Sequence, residues 1–249
     1  MKQGSLYEAL FQIGTLIFVI IIVHATYVTV IRPNAELIQE QQQLMQEQNP
    51  DIVPERSVFI IVRDYEQEFC IIFFLWAVTI IGMKTQHTLR QRALLERTLV
   101  QLQDGMSILP EDSRNYARPV QALGPKEKEF LLPRALLAGL HRFQSTQNIH
   151  AVSSIIKDTC ETEADRMETE LSIVRYIAWA IPSIGFLGTV RGIGTALGQA
   201  YQAVAGDIAG VTQSLGVAFN STFVALVVSI FLMFLLHQLQ LQQDRLVLD

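Results

Sequence analysis

Two apolar helices are written between Ile181 and Leu226, and each carries a stripe of small and hydroxyl side chains. The first reads IPSIGFLGTVRGIGTALGQ and the second SLGVAFNSTFVALVVS. Arg191 is the one charged residue in either. A helix on the surface of a soluble domain is polar on its outer side. Helices apolar around most of their circumference, with one small-residue face, fit a bilayer, where small residues let helix backbones approach.

Composition agrees. The chain of 249 residues is 50% hydrophobic and only 17% charged, against about 25% charge in a soluble domain. Cys70 lies in an apolar run and Cys160 in a polar one, so no disulfide framework is expected. No Walker sequence, metal-ligand cluster or nucleophile–base set stands out. The chain is therefore not expected to be an enzyme, nor to hold a metal or cofactor or bind nucleic acid. The Gly192-Ile-Gly194 run has no strand before it and lies inside an apolar span, which excludes a nucleotide loop.

Crossing a bilayer takes roughly 20 apolar residues. Ala9 to Ile31 has no Asp, Glu, Lys or Arg. Its length and the absence of a cleavage site mark it as an anchor rather than a signal peptide. Phe69 to Met83 is a shorter uncharged run that needs flanking residues to span. Tyr176 to Val204 and Ile208 to Leu236 complete a set of four. The expected fold is an all-α polytopic membrane protein with four transmembrane helices and long cytoplasmic helical extensions. Its parts are an N-terminal transmembrane helix (1–31), an extracytoplasmic segment (32–68), a second transmembrane helix (69–83), a cytoplasmic helical domain (84–175), a two-helix core (176–236) and a cytoplasmic tail (237–249).

Sidedness follows from charge. Of the 19 Lys and Arg residues, 13 fall between Lys84 and Arg175. Residues 32–68 hold only Arg32, Arg56 and Arg63 against eight acids. Cytoplasmic loops carry the Lys/Arg excess, so the large loop and both termini are expected in the cytoplasm. AELIQEQQQLMQEQ reads as a polar helix or spacer, broken at Asn49-Pro50 and Pro54. Ser57–Val62 is apolar and is expected to lead a continuous helix into the second span. Leu95, Leu99, Leu102 and Met106 extend that helix to about Asp104. Pro110, Pro119, Pro125 and Pro133 mark irregular connections. A second long helix is expected to start near Asn148 and run unbroken into the third span.

At about 100° per residue, Gly185, Gly188, Thr189, Gly192, Ala196, Gln199 and Ala203 share one face of the third span. Phe186, Val190, Ile193, Leu197 and Tyr201 share another. On the fourth span Ser214, Ala218, Thr222, Ala225 and Ser229 align, with Asn220 and Ser221 off the centre of the face. Both stripes suit helix packing or a polar pathway. Thr189 lies roughly 21 Å beyond Arg175, and Thr222 roughly 16 Å in from Val211, so the two hydroxyls fall at similar depth. Pro182 frees the carbonyl of Ala178 and marks a helix kink. Arg191 falls on a third face, where snorkelling or pairing is expected; a role in the ion path or at a subunit interface is the alternative.

Residues Pro182 to Ile193 (PSIGFLGTVRGI) resemble the P-x-x-G-L-x-G-T-V-x-G signature of the MotA/TolQ/ExbB proton channel family, most like its TolQ/ExbB branch. Leu215 to Leu226 is similar to that family's last span. Four spans make the chain look like a TolQ/ExbB core with an extra N-terminal helix. Arg191 departs from the apolar residue common in that branch. The resemblance implies an ion-conducting subunit, a stator or motor component, in the bacterial inner membrane. It implies a homopentamer around a one-span partner like ExbD, TolR or MotB, whose membrane Asp carries the ion. Thr189 and Thr222 carry over as pore-facing hydroxyls. Ser221, Gly185, Gly192, Ala218, Ala225 and Ser229 line the same pathway. The expected ion is H+, and hydroxyl rings serve Na+ as well. The residues agree on one point. Proton transfer needs a titratable group, Arg does not deprotonate, and His24 is the only other such residue clearly inside the expected spans. The carboxylate is therefore expected from the partner. The alternative is a non-conducting membrane scaffold whose stripes only pack helices.

Overall fold

Helix dominates because long apolar runs can satisfy their backbone groups in lipid only within themselves. The computed structural model describes residues 2–48, 57–100, 108–204, 206 and 208–248, and among these no strand occurs. Ten α-helices follow in order: α1 (Lys2–Thr26), α2 (Arg32–Gln48), α3 (Val58–Ile61), α4 (Tyr65–Leu95), α5 (Ser113–Gln121), α6 (Leu131–Thr146), α7 (Ile149–Glu170), α8 (Ser172–Gly198), α9 (Ala200–Val204) and α10 (Ala209–Leu248). Among the described residues four helical stretches are long and apolar enough to cross a membrane: Ala9–Met45, Tyr65–Leu95, Ile149–Gly198 and Ala209–Leu248. The chain divides into two units. One comprises Met1–Ile81 with Ile173–Leu236, the other Gly82–Ser172 with His237–Asp249.

In the first unit α1 and α4 run antiparallel. Trp76 Nε1 donates to the Gln12 carbonyl at 3.0 Å, Val23 and Tyr27 pack on Ile72, and His24 reaches Glu68. Lipid tails are as apolar as these side chains, so packing and hydrogen bonds rather than water exclusion hold the pair together. A π-helical turn, Tyr27–Ile31, joins α1 to α2 without a break. It absorbs Pro33, which has no N–H to continue a regular ladder. The Gln-rich stretch is thus a helix. The expected break at Asn49-Pro50 and Pro54 lies outside the described residues.

Three expectations are corrected. Ser57–Val62 does not lead continuously into the second span. The chain turns at Val62–Asp64, and the Gln67 amide donates 3.1 Å to the Ile61 carbonyl, taking over from the helical backbone donor. α4 ends at Leu95, so Leu99 lies beyond it; Leu102, Asp104 and Met106 fall outside the described residues. Pro119 sits inside α5 and Pro133 in the first turn of α6, where a missing N–H costs little. The short second span gains its flanks from Tyr65–Phe69 and beyond Met83.

The second unit is built on polar cross-links. Arg134 donates to the buried Glu163 at 2.6 Å. Lys84, itself buried, donates to Glu170 at 2.6 Å. The Gln91 side chain accepts from the first amide of α6 at 3.1 Å. Asn148 caps α7 by accepting from the His150 amide at 2.9 Å, as its sequence position suggests. The run from α7 into α8 is interrupted only at Leu171.

Candidate functional site

The α8–α10 contact is a ladder of small residues. A Cβ placed on Gly185 would stand 2.4 Å from the Ala225 Cβ; on Gly188, 2.5 Å from the Ser221 Cβ; on Gly192, 2.7 Å from the Ala218 Cβ. The rungs ascend on α8 as they descend on α10, so the helices are antiparallel. Their spacing, i, i+3, i+7 on both helices, is that of a seam repeating about every 3.5 residues. Ala218, Ser221 and Ala225 are buried in it, and Ser229 is buried further along α10. Further along, Ser214 donates to the Gln199 side chain at 3.2 Å. Phe186, Val190, Ile193, Leu197 and Tyr201 are all exposed, as the large face of the wheel suggests.

Thr189 and Thr222 flank the seam, and both stay half-buried. Their hydroxyls share a hydrogen bond. The Ala218 carbonyl lies 3.1 Å from the Thr189 hydroxyl and the Gly185 carbonyl 3.1 Å from the Thr222 hydroxyl, so whichever hydroxyl donates to the other leaves its own carbonyl without that proton. The depth match read from the sequence is therefore realised as contact. Ser221 lies at the middle of the seam rather than beside it, because a seam of about 3.5 residues drifts against the regular helical wheel. α8 runs helically through Pro182.

α4 adds residues that the sequence left outside the span. Glu66 grips Arg191 through both oxygens, with Nε to Oε1 at 2.6 Å and Nη2 to Oε2 at 2.7 Å. Arg191 is thus paired, one of its expected states. The Glu66 Cγ lies 3.1 Å from where a Gly188 Cβ would stand. Gln67 is fully buried, and its amide reaches Ser221 Oγ at 3.4 Å. Glu68, 7% exposed at its side chain, accepts from His24 Nδ1 at 2.7 Å and from Arg32. The Arg32 guanidinium also covers the Tyr65 ring, 4.4 Å from its centroid. The expected boundary at Phe69 hid these residues. An available signal was the charge at the adjoining ends of two antiparallel helices, Arg32 and Glu68, which an α1–α4 hairpin brings together.

Asp64 stands just before α4. One of its carboxylate oxygens is buried without a partner. Burial pushes its carboxyl above the ordinary range, although Arg63 and Arg191 pull the other way. A folded-state value above the unfolded one means the folded protein binds that proton more tightly. This contribution favours folding at low pH and fades as pH rises through the elevated value. Asp64→Asn is expected to be more stable than wild type at neutral pH, because a neutral amide escapes the desolvation that burial imposes on the carboxylate. The gain should shrink on acidification, as read by thermal unfolding in detergent across pH. An unchanged difference at every pH would refute the assignment.

Fold and site together define a multi-span helical membrane protein whose last two long helices pack through small residues beside a hydroxyl pair. Residues 127–249 match the model of the MotA/TolQ/ExbB proton channel family. No curated protein and no solved structure gives a significant match.

Proposed function

We propose that the chain is the proton-conducting subunit of an energy-transducing complex in a bacterial inner membrane, a TolQ/ExbB-like core with an extra N-terminal transmembrane helix. Several copies, five by analogy with the family, surround a one-span partner whose membrane Asp carries the ion. Proton flow, about 2.3 kcal/mol per charge per 100 mV, then drives mechanical work through that partner. The Lys/Arg excess in 84–175 puts that segment and both termini in the cytoplasm.

The observation that carries the reading is the Thr189–Thr222 pair. Gly185, Gly192, Ala218, Ala225 and Ser229 are buried, while these two hydroxyls stay half-open. From there they can hydrogen-bond the partner's carboxylate or water beside it. Na+ suits the same oxygens.

Thr189→Val and Thr222→Val keep the shape and remove the hydroxyl. A lost hydrogen bond to a charged partner is worth about 1.5–3 kcal/mol, or about ten- to a hundredfold in rate. Proton flux into proteoliposomes holding the native complex should fall by that much, with the complex still assembled. Wild-type flux in both variants would sink the assignment. A second reading, a non-conducting scaffold, draws on the contacts both threonines make with backbone carbonyls across the seam. It requires that the same variants lose assembly and that no partner with a membrane Asp co-purifies.

A further inference from the structure

Polar contacts that plain packing does not need link the wall of a surface hollow to Gln67 and Ser221, the neighbour of Thr222. A hollow of about 480 Å³ opens beside α2, α3 and the start of α10, lined by Gln39, Gln43, Arg63, Thr212, Gln213 and Asn220 among others. Ile60 and Val217 also line it. Each adjoins a polar contact of the next layer. Gln67 donates to the carbonyl of Ile61, and Ser221 donates to the carbonyl of Val217 itself at 3.0 Å. Gln67 and Ser221 are in turn joined at 3.4 Å. Ser221 precedes Thr222, which is bonded to Thr189.

Gln67 is the telling residue. It is fully buried where α4, α8 and α10 converge on Gly188, and its Oε1 has no partner among the protein atoms. A buried amide oxygen without a donor costs free energy that a leucine of similar volume would not. An acceptor so placed binds a donor small enough to enter, which is water or its protonated form. The Glu66–Arg191 pair closes the other side, with Glu66 against Gly188.

The geometry points to an outer access route within the subunit: water enters the hollow, is held by Gln67 Oε1 and Ser221 Oγ, and delivers protons to Thr222 and Thr189. No bond to carbon changes; each step passes a proton between neighbouring oxygens and leaves each group as it was. Gln67 acts here as a positioning residue for water. The inference rests on the conduction reading.

The test is proton uptake by proteoliposomes holding the native complex under a potassium-diffusion potential. Gln67→Leu should lower flux at least about tenfold, the rate equivalent of about one hydrogen bond, while assembly is unchanged. Gln67→Asn, which keeps both the amide oxygen and the N–H donor, should retain more flux than Gln67→Leu. A Gln67→Leu complex that conducts like wild type, while Thr189→Val does not, overturns the route and leaves the conduction reading standing. Should Gln67→Leu fail to assemble, Asn220→Cys decides. A membrane-impermeant methanethiosulfonate added outside should block its flux, and undiminished flux after full labelling overturns the route. A wild-type complex without flux overturns both readings.

Discussion

Alanine at Gly185 should destabilise the protein and be rescued by Ala225→Gly, whereas alanine at Gly192 should be worse and resist rescue by Ala218→Gly. At Gly185 the new Cβ meets another Cβ at 2.4 Å, but backbone atoms only at 3.2 and 3.3 Å. Deleting the Ala225 Cβ removes most of the overlap. At Gly192 the new atom meets the Ala218 Cβ at 2.7 Å and also its Cα and N at 2.8 Å. Those backbone atoms remain in Ala218→Gly, so α8 and α10 must separate. Overpacking a close contact costs about 1–3 kcal/mol, and Gly192→Ala should fall at or above the upper end. Gly194→Ala is the control, since nothing lies within 4 Å of its Cβ and alanine suits a helix better by about 1 kcal/mol. Thermal unfolding in detergent reads all five variants. Equal losses at Gly192 and Gly194 would refute the seam.

Arg32→Ala should be the second large effect. Glu68 is nearly sealed, at 7% side-chain exposure, and Arg32 is its permanent cation. His24, more exposed, stands 2.7 Å from its other oxygen. Removing one member of a buried pair costs about 3–5 kcal/mol, because the remaining charge is stranded. Arg32→Ala should thus separate α1 from α4, and adding Glu68→Gln should recover a good part of the loss. The measurement is unfolding of the two single variants and the double. Additive losses would mean that the pair contributes nothing of its own. The guanidinium also covers the Tyr65 ring, so Arg32→Lys should fall between wild type and alanine.

These two contacts show what a one-dimensional reading catches. The seam face was legible through Gly185, Gly192, Ala218 and Ala225, because small residues at helical spacing in an apolar run have few other uses. The depth match of Thr189 and Thr222 was legible because helix rise is constant. The central place of Ser221 was not, since the phase of a seam depends on which helix it meets. Nor were the parts played by Glu66, Gln67 and Glu68. Their charge and polarity put them outside a span, while their neighbours hold them inside a helix and against α1, α2, α3, α8 and α10.

The sequence by itself determined the helices: how many are long and apolar enough to cross a bilayer, which face of each is small, and which segment holds the cations. Those properties are local, set by hydropathy, rise and periodicity. Only the tertiary structure decided the partners. It paired Arg191 with Glu66 and Arg32 with Glu68, ended one helix at Ile61 and began the next at Tyr65, and buried Gln67 beside Ser221. A polar side chain in a span must find its partner on another helix, and which helix stands beside it is a property of the packed chain.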